Sequence, residues 1–166
     1  MKVLFLVMFC FITLIGCSNL ERFDQRVNFT VKDIRLGTFG TEINQHNLLT
    51  IVYSLDELIE LSNNFGNRAF DPSSVLYYSE ENSTIRSFNN NFFAEHALIV
   101  ISTKWHRSAE RVQFRNIGVI NNDLIIRLSY RSNEKIMNDD AVLWMALISV
   151  SSVDVTNINS IFLEVI

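Results

Sequence analysis

The sequence predicts a mainly β domain of the α+β kind: an antiparallel β-sandwich or small barrel, with one short helix preceding the main sheet. Three observations carry this. Residues 124–131 alternate apolar and polar, the two-residue period of a half-buried strand. Residues 97–101, Ala-Leu-Ile-Val-Ile, form a short, β-branched and wholly apolar run, as a central strand covered on both faces requires. Short polar turns separate the later runs, which favours antiparallel neighbours.

Composition bounds the rest. With 48% hydrophobic and 19% charged residues in 166, the chain can bury a core, which excludes wholesale disorder. A net charge of −4 argues against a generally basic nucleic-acid binder. Only five Gly and one Pro exclude collagen-like and Gly-rich linker architectures.

The N-terminus reads as an export signal. Met1-Lys2 precedes thirteen residues, 3–15, that are apolar except for Thr13. As a helix they span about 20 Å, short of the roughly 30 Å hydrocarbon core of a bilayer. One positive charge, a short apolar stretch and then small residues is the layout of a secretory signal. Removing residues 1–16 from 166 leaves 150, with 13 basic and 18 acidic side chains, a net charge of −5. Cys10 leaves with that segment, so Cys17 is the sole cysteine remaining. Disulfides, Cys nucleophiles and Cys-ligated zinc are then excluded from the exported domain.

Along the domain, residues 17–26 are polar and without a clean period, and read as a tether. Residues 27–31 alternate as a strand, Gly37 and Gly40 bracket a turn, and 48–53 form a second β-like run. Ser54-Leu55-Asp56-Glu57 is a capping box: Ser54 caps the helix and Glu57 reaches back. Leu55, Leu58, Ile59 and Ser62 share the buried face, Asp56, Glu57 and Glu60 face water, and Asn63, Asn64 and Gly66 end the helix. Residues 67–91 read as a long polar loop with a short strand at 75–78. Residues 91–96 make one helical turn that leads into the strand at 97–101. Val112, Phe114 and Asn116 then alternate with Arg111, Gln113 and Arg115. Asn121-Asn122-Asp123 is a turn, because Asn and Asp tolerate left-handed backbone where Gly is missing. Leu124, Ile126, Leu128 and Tyr130 face one way and Ile125, Arg127, Ser129 and Arg131 the other. Residues 132–140 connect to a central strand at 141–150, and 158–166 form the last strand.

Reactive constellations are sparse. His46, His96 and His106 share no metal-ligand spacing with one another or with Asp or Glu. Gly37-Thr-Phe-Gly40 is too short to cradle a phosphate, no Gly-x-Ser-x-Gly elbow occurs, and Asn138-Asp139-Asp140 lacks the spacing of a calcium loop. No catalytic residue, metal site or cofactor is therefore expected. One feature opposes the acidic total: Lys104, Arg107, Arg111 and Arg115 lie within twelve residues, with Trp105 and His106 among them and Glu110 the one acid. The candidate binding residues are Lys104, Trp105, His106, Arg107 and Arg111. They fit a docking rim for an acidic partner, or for anionic head groups or cell-wall polymers. They fit equally an exposed strand face whose charges keep an edge soluble.

Leu14-Ile15-Gly16-Cys17 resembles the bacterial lipobox. The resemblance implies cleavage after Gly16, acylation of Cys17, and a protein held by lipid on the extracytoplasmic face of a membrane in the bacterial cell envelope. Two or three acyl chains at about 0.8 kcal/mol per buried CH₂ make such anchoring almost permanent. Residues 92–166 resemble the C-terminal domain of PrcB-type protease-complex accessory subunits. The likeness rests on an aromatic turn (Asn91-Phe92-Phe93), an apolar strand, two amphipathic strands around a polar turn, and a closing pair. It departs at Ser108-Ala109-Glu110-Arg111, where the family has Gly-Gly-aromatic. It implies a non-catalytic partner of exported proteins. The functional expectation is thus an anchored binding or accessory domain for an exported protein or envelope component. The alternatives are a carrier of a small apolar ligand, which needs an unfilled cavity, and an envelope hydrolase whose polar groups meet only in three dimensions.

Overall fold

The computed structural model describes residues 22–36, 47–64, 68–105, 110–132 and 142–166. Two four-stranded sheets face each other. One has the order β1-β5-β6-β8, from β1 (Gln25–Arg26), β5 (Glu110–Ile120), β6 (Asp123–Ser132) and β8 (Ser160–Val165). The other has the order β2-β7-β4-β3, from β2 (Phe29–Leu36), β7 (Val142–Ser151), β4 (His96–Trp105) and β3 (Asn47–Val52). The predicted sandwich is present, and β4 and β7 are the central strands of their sheet. Every pairing is antiparallel except β6 with β8, which is parallel. The parallel pair arises because the chain leaves β7 through a 3₁₀ turn, Ser152–Val155, and crosses to the opposite sheet before β8 begins.

Period-two patterning builds two cores from one sheet. Ile99 and Ile101 of β4 and Ala146 and Ile148 of β7 face the other sheet, where they meet Ile117, Val119, Leu124 and Ile126. Leu98, Val100, Met145 and Leu147 face the opposite way, against a helical layer that contributes Leu58, Ala69, Ile85 and Phe88. The molecule is therefore three layers deep: outer sheet, inner sheet, helices.

The helical layer holds more helix than the sequence reading placed there. Helix α1 (Leu55–Asn64) forms as expected, with Ser54 Oγ accepting from the Glu57 N–H at 3.2 Å and Glu57 Oε2 accepting from the Tyr53 N–H at 2.8 Å. Residues 75–78 are not a strand. They form a 3₁₀ turn, Val75–Tyr78, followed by α2 (Glu80–Arg86) and the single turn α3 (Asn90–Phe93). Each start is capped by a short polar side chain: Ser74, Ser79 and Asn89 accept from backbone N–H groups that would otherwise lack partners. Arg86 ties the layer together, donating to the Ala69 carbonyl at 2.8 Å and stacking on Tyr77.

Three boundaries also move. Strand β2 begins at Phe29, and Val27 is a buried link between the sheets. A bulge between Phe114 and Asn116 breaks the alternation of β5, so Asn116 is exposed and Ile117 takes the inward place. Residues 23–26, which the sequence reading assigned to a tether, pack on the outer sheet, and residues 17–21 lie outside the described residues. The turn at Asn121 and Asn122 is as predicted, both residues having positive φ, 51° and 65°. The Gly37–Gly40 turn and the 133–140 connection lie outside the described residues.

Candidate functional site

Of the candidate binding residues, the backbone positions of Lys104, Trp105 and Arg111 lie at one end of the sandwich. Strands β4 and β7 align over ten pairs, from His96 opposite Ser151 to Trp105 opposite Val142, so Lys104 and Trp105 are carried to the far end of the inner sheet. Leu36 and Asn47 end their strands beside them, opposite Leu143 and Thr103. Arg111 is the second residue of β5 and stands opposite Arg131 of β6. His106 and Arg107 lie outside the described residues, in the four-residue connection that joins β4 to β5. Cys17 also lies outside them.

The opposite end holds a cluster that the sequence reading missed. Phe23 packs on the outer sheet against Gly118. A Cβ at that glycine would come within 2.3 Å of the Phe23 ring and 2.7 Å of the Gln25 carbonyl, so only glycine fits. The Arg127 guanidinium covers the ring at 4.3 Å and donates from Nε to Glu164 Oε2 at 2.7 Å. Arg127 is buried, while Glu164 keeps 41% of its side chain in water. The Asp24 N–H donates to the Val119 carbonyl, and the Asp24 carboxylate accepts from the Asn121 N–H, each at 2.9 Å. The chain thus joins the outer sheet at the turn between β5 and β6, the end away from Trp105. One signal was available: Gly118 sits inside an otherwise apolar strand of a chain with five glycines.

Several other polar groups have structural partners, whereas the buried Ser102 hydroxyl has none among the described residues. His96 stacks on Phe92 with ring centroids 5.2 Å apart. The Tyr53 hydroxyl donates to the Val155 carbonyl at 2.9 Å. Its pKa is raised above the usual 10.0, mainly because burial disfavours phenolate and secondarily through the nearby Glu57 charge. The Asp71 carboxyl is lowered by the hydrogen bonds it accepts from Ser73, at 2.6 Å from the hydroxyl and 2.9 Å from the N–H. Among the described residues, no three His, Cys, Asp or Glu side chains come close enough to hold a metal ion. Nor is any helix among them long and apolar enough to cross a membrane.

A cavity between the helices and the inner sheet is lined by Leu58, Leu61, Ser62, Ile85, Val100, Met145 and Leu147. Its volume of about 20 Å³ suits a water-sized guest, whereas ligand pockets run to several hundred Å³. Compared with family models, curated proteins and solved structures, the chain matches none.

Proposed function

We propose that the protein is an extracytoplasmic lipoprotein of the bacterial envelope, in which a non-catalytic β-sandwich binds or assists an exported protein or envelope component. The observation that carries this reading is Leu14-Ile15-Gly16-Cys17 at the close of a thirteen-residue apolar run. The fold agrees with it in one respect. Phe23, which packs on the outer sheet at Gly118, is six residues after Cys17, so little chain would separate the lipid from the domain. The end of the sandwich far from that leash bears Lys104, Trp105 and Arg111, the residue types that anchor protein interfaces. The likeness of residues 92–166 to accessory subunits supports a protein partner for that end.

Labelling of cells with radioactive palmitate tests the anchor. The wild-type chain takes up label, loses its first sixteen residues and fractionates with membranes, while Cys17→Ser remains unlabelled and unprocessed. Label or membrane attachment unchanged by Cys17→Ser would overturn the reading. The rim is tested separately: Trp105→Ala with Arg107→Ala leaves membrane attachment intact and weakens cross-linking to the partner. Unchanged cross-linking removes the rim from the proposal.

A further inference from the structure

The molecule is electrically two-sided. Residues 55–95, which contain the helical layer, carry seven carboxylates against two arginines, a net of −5. The segments of the outer sheet, 22–26, 110–132 and 160–166, carry six arginines against four carboxylates. Two of those carboxylates are engaged: Glu164 by Arg127 and Asp24 by a backbone N–H. On the solvent face of this sheet, Arg26 shares the face of Gly118, and Arg115 donates to Ser129 at 2.7 Å beside the Arg127–Phe23 stack. Arg26 and Arg115 are exposed, and Phe162 of β8 is half-exposed on the same face. Arg111 and Arg131 stand opposite each other farther along β5 and β6.

The leash emerges on this same face, at Phe23. From Cys17 to Arg22 is five residues, at most about 17 Å of chain. We propose that the outer face of the β1-β5-β6-β8 sheet lies flat on an anionic lipid bilayer, with the helical layer turned away; this rests on the lipid-anchor reading above. The leash is long enough to permit this pose, and the charge distribution selects it. Laid flat, the sheet brings Arg26 and Arg115 to the anionic surface. Stacked layers about 10 Å apart then hold the acidic helices about 20 Å from it, beyond the screening length of about 8 Å at physiological salt. An end-on stance at the turn of Asn121 and Asn122 loses this. Arg115, six residues up the strand from Asn121, would stand about 20 Å from the lipid.

The test uses the full lipidated protein in vesicles of phosphatidylcholine, with or without phosphatidylglycerol. Cys10 leaves with the signal and the Cys17 sulfur is acylated, so one introduced cysteine takes a fluorophore cleanly. Asn116→Cys reports the outer sheet and Glu81→Cys the helical layer. Expected is weaker acrylamide quenching at 116 on anionic than on neutral vesicles, with the difference abolished in 1 M NaCl. Quenching at 81 is expected to be equal on both. Arg26→Gln and Arg115→Gln each lower the flat population roughly fivefold. Equal quenching at 116 on both vesicles overturns the pose. Protection at 116 only in native envelope membranes assigns the face to a protein and overturns it too. Flotation separates the two readings: protein that fails to float with neutral vesicles in 1 M NaCl sinks the anchor and the pose with it. Protein that floats with 116 unprotected sinks the pose alone.

Discussion

Gly118 shows how one missing side chain fixes where the chain enters the fold. Its empty Cβ position is filled by the Phe23 ring, and the Gln25 carbonyl closes the space from another side. Gly118→Ala drives the ring out and cannot be absorbed by the backbone neighbour. The expected cost is about 2 kcal/mol, read as a lowered urea midpoint, with earlier proteolysis before residue 27. Phe23→Ala together with Gly118→Ala relieves the clash, so its cost falls below the sum of the two single changes. Tyr53 gives a pH dependence. Its pKa in the fold lies above the unfolded value, so the fold binds the phenolic proton more tightly. The resulting stability is fully present below pH 10 and is lost as the pH rises through the folded pKa. Urea midpoints measured from pH 9 to 11.5 fall less steeply for Tyr53→Phe. At neutral pH that variant costs about 1 kcal/mol for the lost bond to the Val155 carbonyl.

The strands were legible in the sequence because their signal is periodic and local. Residues 97–101 and 124–128 needed only their own apolar pattern, and the turn between β5 and β6 needed only two asparagines. The segment 75–86 was not legible, because its helices are specified by caps and not by an apolar stripe. Val75 and Tyr78 are 92% and 82% exposed and Leu76 and Tyr77 only half-buried, so the 3₁₀ turn has no buried residue to betray it. Helix α2 buries just Asn82 and Ile85, and Ser79 caps it three residues before Asn82. Ser79→Ala should therefore cost about 1 kcal/mol of stability. The loss should appear as faster amide exchange in α2, with α1 unchanged. If exchange rises equally in both helices, the cap is not the local determinant proposed. The rim residues were legible as a charge cluster in sequence, but the place of Lys104 and Trp105 at the far end of the inner sheet depends on ten aligned pairs between β4 and β7, a long-range register that no local pattern encodes. The Phe23 cluster was hidden for the same reason: Phe23, Gly118, Arg127 and Glu164 are distant in sequence.

The whole molecule turns on its inner sheet, which serves both cores. Leu98 and Ile99 are adjacent, both fully buried, and face opposite ways. Leu98→Ala removes packing against the helices and Ile99→Ala removes packing between the sheets, each at about 2–5 kcal/mol. Because both cores share β4 and β7, circular dichroism and aromatic fluorescence should report one coincident unfolding transition in each variant. Separate transitions would show that the helical layer melts by itself. The stitching of β1 to the outer sheet and β2 to the inner sheet, with buried Val27 between them, has a mechanical consequence. A tug on the N-terminal end first levers Phe23 from under its guanidinium lid and parts the two-residue β1. It then meets eight paired residues of β2, fastened to the other half of the body. Load applied through the N-terminal chain would thus be passed to both halves of the sandwich in turn, as on a strap sewn through two plies of cloth.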